Sequence, residues 1–117
     1  MNEIAKSPSP GTVEVVRHAF ISGAEQMRRN LYRSAFSPVI YEMKDCSVGI
    51  YNDEGELLGQ APGLPFFLGS LGGTIRAVIA RKGIGVFEEG DIWIVNDSTI
   101  CGSHLNDVTV FAPIFVE

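Results

Sequence analysis

The chain has 117 residues, with 14 acidic against 9 basic side chains for a formal charge of −5, and it is 45% hydrophobic and 20% charged. That balance belongs to a globular protein, and the acidic excess argues against nucleic acid, which is held mainly by Lys and Arg on phosphates. The length suits one domain with a modest core, no apolar run approaches the roughly 20 residues of a membrane span, and the polar start (Met1 to Pro10) does not read as a signal peptide. Cys46 and Cys101 make no disulfide framework for a chain this size, so a reducing, cytoplasmic compartment is expected.

Residues 1–10, with two serines and two prolines at their end, read as a flexible arm ahead of an α+β portion over 11–117. Thr12 is expected as a helix N-cap with Glu14 in the first turn. Val16, Phe20, Met27 and Leu31 then step at helical spacing, with Arg28, Arg29 and Arg33 toward the far end, and the helix is expected to stop before Pro38. Residues 46–61 read as a β-hairpin. Cys46, Val48 and Ile50 face one way, Ser47, Gly49 and Tyr51 the other, and Asn52 to Gly55 makes the turn. The apolar stretch 61–70 reads as a loop stiffened by Pro62 and Pro65.

A second helix is expected from about Ser70 to Lys82, with Leu71, Ile75, Val78 and Ile79 on one face and Gly83 ending it. Asp91 to Val95 is a short apolar strand, expected to be covered on both faces. A loop from Asn96 to Asn106 leads into a last strand, Asp107 to Val116. The order of helix, hairpin, helix, strand and strand gives an α+β class: two helices on a small, mostly antiparallel sheet. A chain that stops inside a strand reads as a portion of a larger subunit.

The residues able to carry chemistry are few. His18 sits in the first helix with nothing to mark it as a ligand. His104 stands three residues before Asp107 in a Gly-containing loop, and imidazole beside carboxylate suits a divalent metal. In a regular strand those two side chains face opposite sides, so they meet one ion only if the segment turns. Asp97 has the ordinary reading of an Asx-turn at a strand end. Asp45 has that of a surface ion pair with Lys44 or an arginine of the first helix. Cys46 alternates with Val48 and Ile50, which points to burial rather than reactivity. There is no phosphate-binding loop of the GxxxxGK[ST] type, so ATP is not expected to bind this chain unaided.

At these same positions the chain resembles the N-terminal portion of the hydantoinase B family, which takes in N-methylhydantoinase B subunits, part of 5-oxoprolinase, and subunits of acetone and acetophenone carboxylases. The resemblance rests on VEVVRHAF (13–20), LYRSAFSPVIYEMKDCSVGIYNDEGELLGQAPGLPFFLGSL (31–71), EEGDIWIVND (88–97) and GSHLNDVTVFAPIF (102–115). It implies a divalent metal (Zn, Mn or Fe) with Asp45, His104 and Asp107 as ligands. Asn96 and Asp97 then organise the ligand loop around it. It also implies ATP in a partner, a nucleotide-binding hydantoinase A-like subunit, within a hetro-oligomer acting on a small carbonyl compound. Family members are several times longer, and a further histidine ligand is expected from the part not present here.

The leading expectation is therefore a part of an ATP-dependent cyclic amide hydrolase, inactive as the isolated chain. Part of an ATP-dependent ketone carboxylase is the first alternative. A non-catalytic interaction module, using the apolar stretch Leu64 to Leu68 as its assembly surface, is the second.

Overall fold

The computed structural model of the chain describes residues 7–61 and 66–116, and of 66–68 the backbone alone. Helix α1 runs from Pro10 to Ser34, and its N-cap is Ser9, whose Oγ accepts the Thr12 N–H at 3.2 Å. The cap thus lies three residues earlier than Thr12, and Glu14 falls beyond the first turn. Pro10 explains the shift, because its fixed φ and missing N–H suit the first helical position. Glu14 instead pairs along the helix surface with Arg17 at 3.6 Å and His18 at 3.8 Å. A single turn, α2 (Pro38–Tyr41), follows, and the chain then enters the hairpin through Lys44, at φ 56°.

Strands β1 (Gly49–Tyr51) and β2 (Leu57–Gln60) pair antiparallel, with Gly49 opposite Gln60 and Tyr51 opposite Leu57. The Asn52–Gly55 turn closes as expected. The Gly55 N–H donates to the Asn52 carbonyl at 3.0 Å, and the Asn52 Oδ1 accepts from the N–H groups of Glu54 and Glu56. Helix α1 lies directly on β2. A Cβ on Gly59 would come within 2.7 Å of the Phe20 Cβ and 2.8 Å of its carbonyl carbon. Ala24, Val48 and Ala61 are buried, and they form the core between helix and hairpin.

Helix α3 spans Phe66–Lys82, beginning four residues before the expected start at Ser70. The stretch 66–70 is therefore helical rather than loop, while residues 62–65 and the side chains of 66–68 lie outside the described residues, and with them the Leu64–Leu68 surface. Gly72 falls in the helix interior and has a packing reason to be there. A Cβ at Gly72 would sit 2.6 Å from the Gly55 carbonyl oxygen, which also accepts from the Arg76 guanidinium at 2.8 Å. The hairpin turn is seated on α3 through that close approach.

After the short 3-10 turn Ile84–Val86 come β3 (Trp93–Val95) and β4 (Thr109–Phe111), a second antiparallel ribbon with Trp93 opposite Phe111 and Val95 opposite Thr109. Phe87, Trp93 and Phe111 pack edge and face at 5.1 to 6.3 Å on one side of it. The other side is open, with Ile92 72% and Ile94 68% exposed. This corrects the expectation that β3 is covered on both faces, since the described residues place no second layer there. The last strand is also shorter than the alternation 107–116 suggests. Pairing ends at Phe111 because β3 offers three partners, and Pro113 has no N–H to extend the ladder.

The result is an α+β arrangement whose antiparallel pairing is divided between two ribbons. Its radius of gyration is 16.0 Å, against about 13 Å for a compact domain of this length. Its accessible surface is 8748 Å², against about 6,200 Å² for a compact monomer of this mass. Among the described residues no helix is long and apolar enough to cross a membrane. Both cysteines are free thiols.

Candidate functional site

The loop from β3 to β4 is built from its own side chains. Where β3 ends, the Asp97 Oδ1 accepts the Thr99 N–H at 3.0 Å and the Thr99 hydroxyl at 2.6 Å. The Asp97 carbonyl accepts the N–H groups of Ile100 and Cys101 at 2.9 and 2.8 Å, and the Arg81 guanidinium reaches the Asp97 Oδ2 at 3.2 Å. These hydrogen bonds, the Thr99 hydroxyl first, hold the Asp97 carboxyl below its usual pKa. Cys101 is 2% exposed, and it anchors the middle of the loop beneath β3.

A second turn starts at Gly102, in the left-handed region at φ 69°. Here Asp107 folds back, and its Oδ2 accepts the N–H groups of Ser103 at 2.7 Å and His104 at 3.0 Å. Those two backbone donors hold the Asp107 carboxyl below the ordinary carboxylate value. The segment therefore turns, which is the condition for His104 and Asp107 to meet: the His104 Nδ1 and the Asp107 Oδ1 face each other at 3.7 Å. Asn96 locks the turn from outside. Its side-chain amide donates to the Asp107 carbonyl at 2.6 Å and to the Leu105 carbonyl at 3.4 Å.

This turn lies on one wall of a cavity of about 800 Å³, which His104, Asn106 and Asp107 share with Asp45 and Cys46. Met27, Leu31, Ile40, Leu71 and Ile75 supply an apolar lining. Asp45 is exposed and held by its backbone, with the N–H donating to the Val39 carbonyl at 2.9 Å. Burial pushes the Cys46 thiol up against the opposing effect of a Tyr32 hydrogen bond, so Cys46 is protonated at neutral pH. His18 stands on the outer surface of α1, away from this cavity.

The donor chemistry permits a test of the expected metal. Two atoms bound to one ion at about 2.1 Å each lie about 3.0–3.4 Å apart in tetrahedral or octahedral geometry. The His104 Nδ1 and the Asp107 Oδ1 are a few tenths of an ångström from that spacing, so the pair fits as two donors. Among the described residues no three His, Cys, Asp or Glu side chains come together as a metal-holding group. Asp45 shares the cavity without completing one.

Sequence reading passed over one residue of this region, Thr74 on α3, which donates its hydroxyl to the Ile100 carbonyl at 2.9 Å. It carries a signal: with Leu71, Ile75 and Val78 it falls on the i, i+3, i+4, i+7 stripe, where a polar group needs a partner.

The chain is similar over most of its length to proteins of diverse organisms. It is 36% identical over 103 residues to 5-oxoprolinase 1 of Arabidopsis thaliana, covering 88% of this chain and 8% of that one. It is 38% identical over 113 residues to the 5-oxoprolinase PfmaA of Pestalotiopsis fici, covering 97% and 9%. It is 30% identical over 108 residues to the caprolactamase subunit beta of Pseudomonas jessenii, covering 92% and 18%. The chain thus spans less than a fifth of the length of these relatives. No solved structure gives a significant match. The family model for hydantoinase B/oxoprolinase matches residues 9–117, and this chain belongs to that family.

Proposed function

We propose that the chain forms part of an ATP-dependent hydrolase that opens a cyclic amide, with the nucleotide handled by a hydantoinase A-like partner subunit. Two observations support the reading. Relatives are named for 5-oxoproline and caprolactam, both of which are cyclic amides. The observation that carries it is the turn that aims His104 and Asp107 together into one cavity.

On this reading, His104 and Asp107 hold a divalent ion together with donors from polypeptide outside this chain, and Asp45 faces the same space. Bound there, the ion supplies a Lewis acid for the amide carbonyl. The residues of this chain do the positioning. Asp107 splits its carboxylate, with one oxygen fastened to the turn and the other facing the His104 ring nitrogen at 3.7 Å, so the two residues present their donors side by side. The apolar lining takes the methylene side of a small ring and excludes water from it. Asn96 and Asp97 act on the loop rather than on the substrate. The large accessible surface and the open face of β3 agree with a chain that works packed against further polypeptide.

The test is turnover. The assembly purified from its source, given ATP and either 5-oxoproline or caprolactam, opens the ring, whereas the isolated chain does not. His104→Ala and Asp107→Ala abolish turnover by the assembly, and Asp97→Ala reduces it less. Ring opening by the isolated chain, or an assembly indifferent to His104→Ala, contradicts the proposal.

A further inference from the structure

Among the described residues, two side-chain hydrogen bonds of different character join helix α3 to the β3–β4 loop. One is the Arg81–Asp97 pair, whose side chains are 56% and 42% exposed; water competes for such a pair, and it holds little. The other is Thr74, which is fully buried. Its hydroxyl lies 2.9 Å from the Ser70 carbonyl, one turn back, and 2.9 Å from the Ile100 carbonyl, 26 residues along the chain. A hydroxyl has a single proton. The Ser70 carbonyl already receives the helical N–H of Thr74, so the Ile100 carbonyl is the acceptor with more to lose.

Ile100 precedes the buried Cys101 and then Gly102, where the turn carrying His104 and Asp107 begins. Without the Thr74 hydroxyl, the peptide plane before Cys101 keeps the bond from the Cys101 N–H to the Asp97 carbonyl at 2.8 Å and loses its hold on the carbonyl side. Any give in that plane reaches Gly102, which is packed against the Asp107 side chain without room for a methyl group.

We propose that Thr74 is a positioning residue for this site: through the Ile100 carbonyl, its buried hydroxyl fixes the Gly102–Asp107 turn over α3 and so sets the approach of His104 to Asp107. The role in catalysis rests on the function proposed above, whereas the effect on the turn does not. The two are therefore tested separately, with Thr74→Val, which keeps the shape and removes the hydroxyl, and Thr74→Ser, which does the reverse.

The first measurement is amide hydrogen exchange at Ser103 and His104, expressed relative to amides of α1 so that overall stability cancels. Thr74→Val speeds exchange at these two amides about tenfold over the parent, the loss of roughly one hydrogen bond, and Thr74→Ser stays near the parent. Equal protection in Thr74→Val and the parent, or Thr74→Ser as fast as Thr74→Val, overturns the proposal. The second is a Zn²⁺ titration of the metal-depleted assembly, in which Thr74→Val weakens binding by about tenfold or more and Thr74→Ser does not, as for other supports of metal ligands. If the parent assembly binds no Zn²⁺, the metal reading fails, and the exchange order alone decides the role of Thr74.

Discussion

Gly102 and Asp107 compete for the same space: at φ 69° a Cβ on Gly102 would run into the Asp107 Cβ and lie 2.6 Å from its Oδ2. The left-handed backbone at Gly102 brings the N–H groups of Ser103 and His104 around to face that oxygen. Glycine is thus required twice, for its backbone angle and for its missing side chain. Gly102→Ala is expected to destabilise the chain by about 2–4 kcal/mol, combining left-handed strain with overpacking. Urea denaturation checks this, and an unchanged midpoint would show that the turn opens freely.

Two other glycines form a matched pair with opposite expected signs. Gly59 lies under the backbone of Phe20, whose carbonyl carbon would be 2.8 Å from an added Cβ, while among the described residues Gly73 has nothing within 4 Å. Gly59→Ala should lift α1 off the hairpin and cost about 1–3 kcal/mol. Gly73→Ala, in the interior of α3, should stabilise by about 0.5–1 kcal/mol. Thermal melts of the two variants should move in opposite directions from the parent, and movement in the same direction would contradict the packing described for Gly59.

Acid should loosen the β3–β4 loop first. The carboxyls of Asp97 and Asp107 are both held below the ordinary value of 3.8 by hydrogen bonds present only in the folded chain. Their contribution is complete above that value and is lost as the pH falls below it through the folded pKa. Loop amides followed by NMR from pH 6 to pH 2.5 should lose dispersion at Ser103 and His104 in that low range, with no change near neutrality attributable to these carboxyls. Asp107→Asn should remove this acid transition at Ser103 and His104. Persistence of the transition in the variant would assign it elsewhere.

The thiols should be graded by burial. Cys46 is partly buried with its pKa raised, and Cys101 is 2% exposed. Cys46 should react with a disulfide reagent at pH 8 more slowly than a free cysteine, because less of it is thiolate. Cys101 should react only on unfolding. Labelling of Cys101 before Cys46 under native conditions would contradict the loop anchor.

Much of the fold could be read from residue patterns because local chemistry decides it. The Asn52–Gly55 turn, the end of α3 at Gly83 and the antiparallel pairing all follow from side chains acting on neighbouring backbone. The start of α1 is ambiguous in the sequence because two capping residues, Ser9 and Thr12, stand one turn apart, and Pro10 decides for Ser9. The early start of α3 was hidden by Pro65 and the paired glycines, whose role depends on the distant Gly55. In the site, the His104–Asp107 turn was legible as a possibility from Gly102 and Asn106. Thr74 and the shared cavity depend on α3 packing under a loop 26 residues away, which spacing along the chain does not encode.

The most direct test of the central claim, that His104 and Asp107 serve a metal within a larger hydrolase, is native mass spectrometry of the untagged protein taken from its source. The account predicts a complex with longer chains and a bound divalent ion, and loss of the ion when His104→Ala or Asp107→Ala is introduced. A bare, metal-free monomer would contradict it, as would a complex whose metal content is indifferent to both substitutions.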